Sequence, residues 1–463
     1  MTGELDDHVR ESTGGAVPPG PKGWPLIGPL LDLRRDVLGT MHKAMLRFGD
    51  VVRFAGGPPG RFRVEIYALY HPDTVQRVRE SSDDVYSKND PTSVEMRAAI
   101  GNGLLSTTGD VWRRQRRIVE PLLTDEKVAR WFPVMADESD RLVARWRPAA
   151  GRGDTVDLHA EGTTVARRTI ARALFGRDAE AMLPVLSERI PYLSGHAFRR
   201  GVSPVRLPAS WPTPRNRRAA RAKETVRRAV HEVVARRRRD PQDDLVSMLL
   251  AAPDPDGGPG LADDEVRDQV VVFFLAGGEQ PATSVSFVLH LLGHHAEAQR
   301  RAYEEIDGVC GSRPLSLDDV SALPYTAAVV KEAMRLYPPA YGLARRCERS
   351  QHLGGYRIPA RTQVATSPWV THRHPAFWDD PERFDPERFN PEREAERHPF
   401  AYFAFGGGPH SCVGAHLATL ETIVVVATVL RSYRVVTEPR SVPLYTALPL
   451  RPKAAMPAHV FLR

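Results

Sequence analysis

Cysteine is scarce in this 463-residue chain: Cys310, Cys347 and Cys412 stand far apart and none forms a C-x-x-C pair. That count and spacing argue against a disulfide framework or a cysteine-rich zinc site, and suit a reducing cytoplasm. Long apolar runs are also lacking. No stretch of about 20 apolar residues occurs, and Ile423 to Val429 is too short to span a bilayer. Residues 1–17 form a polar, acidic leader without the basic start and apolar stretch of a secretory signal, and they are read as disordered. There is no internal repeat and no nucleic-acid motif. A cytoplasmic protein with no membrane and no nucleic-acid partner is expected.

Apolar and charged residues are present in ordinary proportion along nearly the whole length, so a sizeable core can form. One domain over residues 18–463 is the simplest division. The formal charge of +7 comes from arginine clusters, notably Arg113, Arg114, Arg116, Arg117 and the run Arg236 to Arg239. That run closes a segment whose alanines and valines recur at helical spacing, which reads as a solvated helix face.

Pro18 to Pro25 is too rich in proline for helix or sheet and reads as a stiff connector. Val51 to Phe54 and Arg63 to Tyr67 read as paired strands around a turn at Gly56 to Gly60. From Val111 to Leu292 the pattern is mostly helical, broken at Pro204 to Pro214 and Pro253 to Gly260. Asp263, Asp264 and Glu265 place acids at the start of a long apolar helix that includes Val270 to Leu292. Leu323 to Tyr337 is a further helix, stopped by Pro338-Pro339; strand-like pieces follow, with a turn at Gly354-Gly355. The fold class is mainly α with small β-sheets.

The segment with most chemistry is Phe405-Gly406-Gly407-Gly408-Pro409-His410-Ser411-Cys412-Val413-Gly414. Its glycines let backbone pass close under a flat ligand, and Cys412 stands at the start of a helix, where free N–H groups favour a thiolate. A buried inert cysteine would not explain the flanking Phe, Gly and His. A phosphate loop would end in Lys-Ser or Lys-Thr. Three other patterns accompany it: Glu332 and Arg335 one helical turn apart with Arg388 downstream, Trp112 and Arg116 on one helix face, and Ala276-Gly277-Gly278-Glu279-Gln280-Pro281 inside the long helix. His290 and His294 share a helix face as well, without a third ligand, and are set aside as a metal site.

The ten-residue segment resembles the cysteine-ligand loop of the cytochrome P450 family, F-x-x-G-x-[R/H]-x-C-x-G, and every fixed position is present. The resemblance runs from about Pro18 to the C-terminus. It implies the cytochrome P450 fold, with haem b held by Cys412 as the axial iron ligand and thiolate donor. Phe405 and Gly406 would shape the haem bed. His410, Trp112, Arg116 and Arg345 would contact the propionates, since a guanidinium fork suits a carboxylate. Glu332, Arg335 and Arg388 resemble the family's buried structural network. The long helix resembles its oxygen-activating stretch, in which Gly277 opens a groove for dioxygen while Glu279 and the next residue relay protons. That next residue is usually an alcohol; here it is Gln280, followed by Pro281.

The resemblance implies a monooxygenase that inserts one oxygen atom from O2 into a small apolar substrate. By analogy the setting is bacterial natural-product tailoring of a terpenoid, polyketide or aromatic scaffold. Electrons would come from a separate ferredoxin or flavodoxin with its reductase, docking on the basic helix at Arg113, Arg114 and Arg117, and the enzyme would be a monomer. Gln280-Pro281 motivates an alternative, a haem-thiolate enzyme of atypical chemistry: peroxide-dependent oxidation, coupling, rearrangement or group transfer. A non-catalytic haem- or ligand-binding protein is the second alternative. The substrate pocket is expected from Tyr86 to Ser106, Tyr192 to Pro214, Phe273 to Ala276, Ala340 to Leu343 and Thr446 to Leu448.

Overall fold

A computed structural model describes residues 16–25, 27–57, 63–203, 208–438 and 441–463. The leader up to residue 15, the tip of the turn expected after Gly56, and the start of the loop expected at Pro204 lie outside the described residues.

Seven helices position the site: α1 (Gly109–Val119), α2 (Leu158–Phe175), α3 (Ala179–Gly201), α4 (Pro214–Arg239), α5 (Asp263–His294), α6 (Pro324–Leu336) and α7 (Ala415–Ser432). α5 is 32 residues long, roughly 48 Å at the α-helical rise. Glu265 caps its start by accepting from the Ala262 N–H at 3.0 Å. Beyond that turn it is apolar on nearly every side, and from Val270 to Leu275 and from Ala282 to Leu292 every residue is buried. A helix apolar all round belongs in the middle of a large core. α2 packs along it most extensively, and α7, α4 and α6 also lie against it.

The crossing of α2 over α5 explains the paired glycines. A Cβ on Gly277 would stand 2.8 Å from Ile170, and one on Gly278 would stand 3.0 Å from Arg167, so these two positions let the helices approach closely. α5 continues through Pro281 as helix. α7 is long and apolar enough to cross a membrane by length and composition, the one such helix among the described residues. Its stretch Leu420–Leu430 is buried in the core.

A five-stranded sheet lies to one side. Its strands are β1 (Val51–Gly56), β2 (Val64–Leu69), β3 (Tyr86–Ser87), β4 (Leu343–Cys347) and β5 (Gln363–Thr366), in the order β1-β2-β5-β4-β3. The expected pairing of the first two strands is present, antiparallel with Val51 opposite Leu69. β3 pairs with β4 so that Ser87 faces Arg346, which brings two distant stretches of chain together. The Gly354-Gly355 turn closes a small hairpin with both residues at positive φ, as a tight two-residue turn requires.

The arginine run at the end of α4 corrects one expectation. Arg236, Arg238 and Arg239 are exposed, but Arg237 is buried on the same face as Val230, Val233 and Val234. It donates to Asp244 at 2.6 Å and to the Phe175 carbonyl at 2.9 Å, so it is a structural tie rather than solvated charge.

Candidate functional site

The glycine-rich loop before α7 is held from several sides. The Cys412 N–H donates to the Phe405 carbonyl at 2.9 Å and Ser411 N–H to the Gly408 carbonyl at 3.0 Å. Gly408 has φ +65°, and a Cβ there would lie 2.2 Å from the Arg79 carbonyl, so only glycine lets the helix Pro72–Glu80 abut the loop. Arg116 donates to the Ser411 carbonyl at 2.6 Å and is also paired with Glu120. It therefore clamps the residue next to Cys412.

Cys412 lies deep but open to a large cavity. The helix starts at Ala415, three residues on, rather than at the cysteine. Burial pushes the Cys412 thiol up, opposed by the Gly414 N–H and Arg116. The helix end alone does not keep a thiolate, whereas coordination to a metal deprotonates a thiol outright.

His410 packs tilted against Trp112 with ring centroids 3.8 Å apart, and its Nε2 lies 2.7 Å from Asp83. Burial lowers the imidazole to about 4 against the opposing pull of Asp83. Burial works against the Asp83 charge too, but hydrogen bonds from His410 and the Gly109 N–H outweigh it and hold that carboxyl at about 2. Two cations that sequence reasoning missed, Arg79 and Lys88, join Arg345 here. Lys88 donates to the Leu104 carbonyl at 2.7 Å, and Arg79 to the Leu343 carbonyl at 2.9 Å. Burial, and then Arg345, push both well below their ordinary values; burial lowers Arg345 as well. No local motif marks Lys88 or Arg79; the pairing of β3 with β4 brings Lys88 alongside Arg345.

These groups fit a porphyrin with two carboxylates. His410 Nδ1 and Arg79 Nε are buried with no hydrogen-bond partner among the described residues, and the cations crowd one another with only Asp83 and Asp90 acting against that repulsion. Trp112, Arg116, Arg345, Phe405, Gly406, His410 and Cys412 all line one cavity of about 1680 Å³, together with Arg79 and Lys88. The expected loops line it too. It also reaches the helices Leu30–Arg35 and Val37–Phe48, which the sequence did not suggest.

On the opposite wall α5 presents Gly277, Gln280, Pro281 and Ser284 to the cavity. Glu279 is not on that wall. Successive helical residues are about 100° apart, so a face shared by Gly277, Gln280 and Ser284 turns Glu279 aside. Its carboxylate meets Arg167 at 2.5 Å and Arg451 at 4.0 Å. It is ion-paired behind the wall, beside Gln280 in sequence but not lining the cavity with it. Thr283 does not supply the missing alcohol either, being fully buried and donating to the Leu450 carbonyl at 2.8 Å. Phe273 faces the cavity and Phe274 the core.

The other patterns resolve simply. Glu332 and Arg335 are wholly buried and joined by two hydrogen bonds of 2.6 and 2.8 Å, with Arg388 at 3.6 Å. His294 Nδ1 lies 2.9 Å from the His290 carbonyl and 2.7 Å from the Thr437 hydroxyl, and among the described residues no cluster could hold a metal ion. Arg114 pairs with Glu265 and Arg117 with Asp254 and Asp256, which weakens the positive field of α1; Arg113 meets the exposed Asp110.

A mostly helical chain with a glycine-bedded cysteine facing a buried cationic cluster across a large cavity defines a haem-thiolate protein. The family model for Cytochrome P450 matches residues 18–456, and the chain belongs to that family. It is 35% identical over 417 residues to "Cyclooctat-9-en-7-ol 5-monooxygenase" of Streptomyces melanosporofaciens, covering 89% of this chain and 88% of that protein. It is 33% identical over 422 residues to "Pentalenene oxygenase" of Streptomyces avermitilis, covering 90% and 91%. The fold is that of the "cytochrome P450DA heme domain", with a TM-score of 0.87 at 23% identity over 97% of this chain and 98% of the other. Its cofactor is haem, with iron held by a cysteine thiolate, and its reaction class is oxidation with incorporation of oxygen.

Proposed function

We propose that this enzyme inserts one oxygen atom from O2 into a C–H or C=C bond of a cyclic terpenoid, in bacterial natural-product tailoring. The observation that carries the reading is the cavity itself, mostly apolar on its substrate side and bounded by Cys412 and α5, with relatives named for oxidising cyclooctat-9-en-7-ol and pentalenene. Cys412 would ligate the haem iron; Arg79, Lys88, Arg345 and His410 would hold the propionates; Trp112 would pack beside His410. Haem bound there supplies dioxygen activation, with electron density pushed from the thiolate. The chain's own residues orient the substrate against α5 and exclude bulk water from it. A separate acidic ferredoxin or flavodoxin would deliver electrons at the face carrying Arg113, and the enzyme would work as a cytoplasmic monomer.

Turnover of a panel of cyclic C15 and C20 terpenoids under labelled dioxygen tests this. One labelled oxygen atom in the product supports it; turnover without label refutes it. That second outcome is what an atypical haem-thiolate chemistry would give, a reading favoured by one specific feature: the wall carries Gln280 where the family's alcohol is expected.

A further inference from the structure

We propose that the α5 wall is a recognition site for a hydroxyl group, so that the substrate is an alcohol: a largely apolar ring system carrying one O–H close to where it is oxidised. The inference deepens the terpenoid reading above and rests on it.

Three polar groups lie together on that wall. The Gln280 carboxamide borders the cavity, and its side chain makes no hydrogen bond among the described residues. An amide left bare against apolar walls keeps water until a ligand displaces it, and a ligand that cannot replace those bonds loses affinity. One turn earlier, the Gly277 carbonyl has lost its ordinary helical donor, because residue 281 is proline and has no N–H. One turn later, the Ser284 hydroxyl already donates to the Gln280 carbonyl at 3.3 Å, which leaves its lone pairs to accept.

The chemistry of this set selects its ligand. Gly277 and Ser284 offer acceptors and the Gln280 amide offers a donor, so the ligand that satisfies the whole set both donates and accepts a hydrogen bond. A ketone, ether or carboxylate accepts from the amide but leaves the Gly277 and Ser284 acceptors unfilled. An ammonium would donate, but the acid nearest in sequence, Glu279, is turned away and paired with Arg167 and Arg451. A neutral hydroxyl meets the requirement, giving its proton to a wall acceptor and receiving one from the Gln280 amide. A hydrocarbon of the same shape would strip the amide of water with nothing in return, at a loss of roughly 10- to 100-fold in affinity.

The test uses haem-loaded enzyme and matched pairs, such as cedrol with cedrane, titrated by the optical shift as ligand displaces water from the iron. The wild type is expected to bind the alcohol about 10- to 100-fold more tightly. In Gln280→Leu, similar in size but apolar, that ratio should fall severalfold through tighter hydrocarbon binding, the Gly277 and Ser284 acceptors keeping the remainder. Gln280→Met serves if the leucine variant fails to take up haem, and Ser284→Ala should reduce the ratio part of the way. An equal ratio in wild type and variant overturns the proposal, as does a wild type that prefers the hydrocarbon, binds both equally or binds neither. Oxygenated products from hydrocarbons and alcohols alike would leave the monooxygenase reading standing while the recognition site falls. Absence of labelled product from every terpenoid would remove the reading beneath it.

Discussion

Glu421 shows how far burial can move a single group. It lies on α7, lines the cavity, and faces the Thr169 hydroxyl without closing a hydrogen bond. Burial pushes its carboxyl from 4.5 to about 8. Between those values the native protein holds a proton that the unfolded chain releases, so stability falls as pH rises from about 4.5 and levels off above about 8. Glu421→Gln removes the titration. Its stability should therefore be nearly flat over that window, exceeding wild type by a few kcal/mol at pH 9. Calorimetric melting at pH 5, 7 and 9 checks this; parallel pH profiles for the two proteins would contradict it.

Lys88 makes a complementary prediction. Lys88→Met should lose haem roughly 10-fold faster, read by transfer to a globin scavenger, since a charge-assisted bond to a propionate is removed. An unchanged rate would place the propionate elsewhere. The contrast between Lys88 and His410 also shows what sequence reading can and cannot reach. His410 was legible because its neighbours on the chain, from Phe405 to Gly414, are its neighbours in the site. Lys88 and Arg79 were not, because their companion Arg345 is more than 250 residues away and joins them through sheet pairing.

At the level of elements, spacing told which helices exist but not which way each side chain faces. Glu279 stood in the right string of letters, yet the face shared by Gly277, Gln280 and Ser284 turns it toward Arg167. Arg237 failed for the converse reason: a charge among charges was read as solvated, although it continues the buried stripe of α4. In α6 the pair was legible, and the structure adds its cost. Arg335→Ala would leave Glu332 buried without its partner. Losing one member of a buried ion pair destabilises by about 3–5 kcal/mol. Chemical denaturation of the haem-loaded enzyme should show that loss, and a loss below about 1 kcal/mol would mean that the pair is not wholly buried in solution.

Across the whole molecule, the fold class and the pairing of early strands were legible from hydrophobic period and turn residues. The cavity's reach to the N-terminal helices was not, since those helices carry no motif. The molecule brings a loop near residue 412, a helix near residue 280 and cations near residues 79, 88 and 345 around one space, and its chemistry depends on what that space holds. The direct measurement is the absorption spectrum of the reduced carbon monoxide complex, in wild type and in Cys412→His. The wild type should show the red-shifted band of a thiolate-ligated haem and the variant that of an imidazole-ligated one. A wild-type protein that stays colourless when supplied with haem, or a band that the substitution leaves unmoved, would contradict the account.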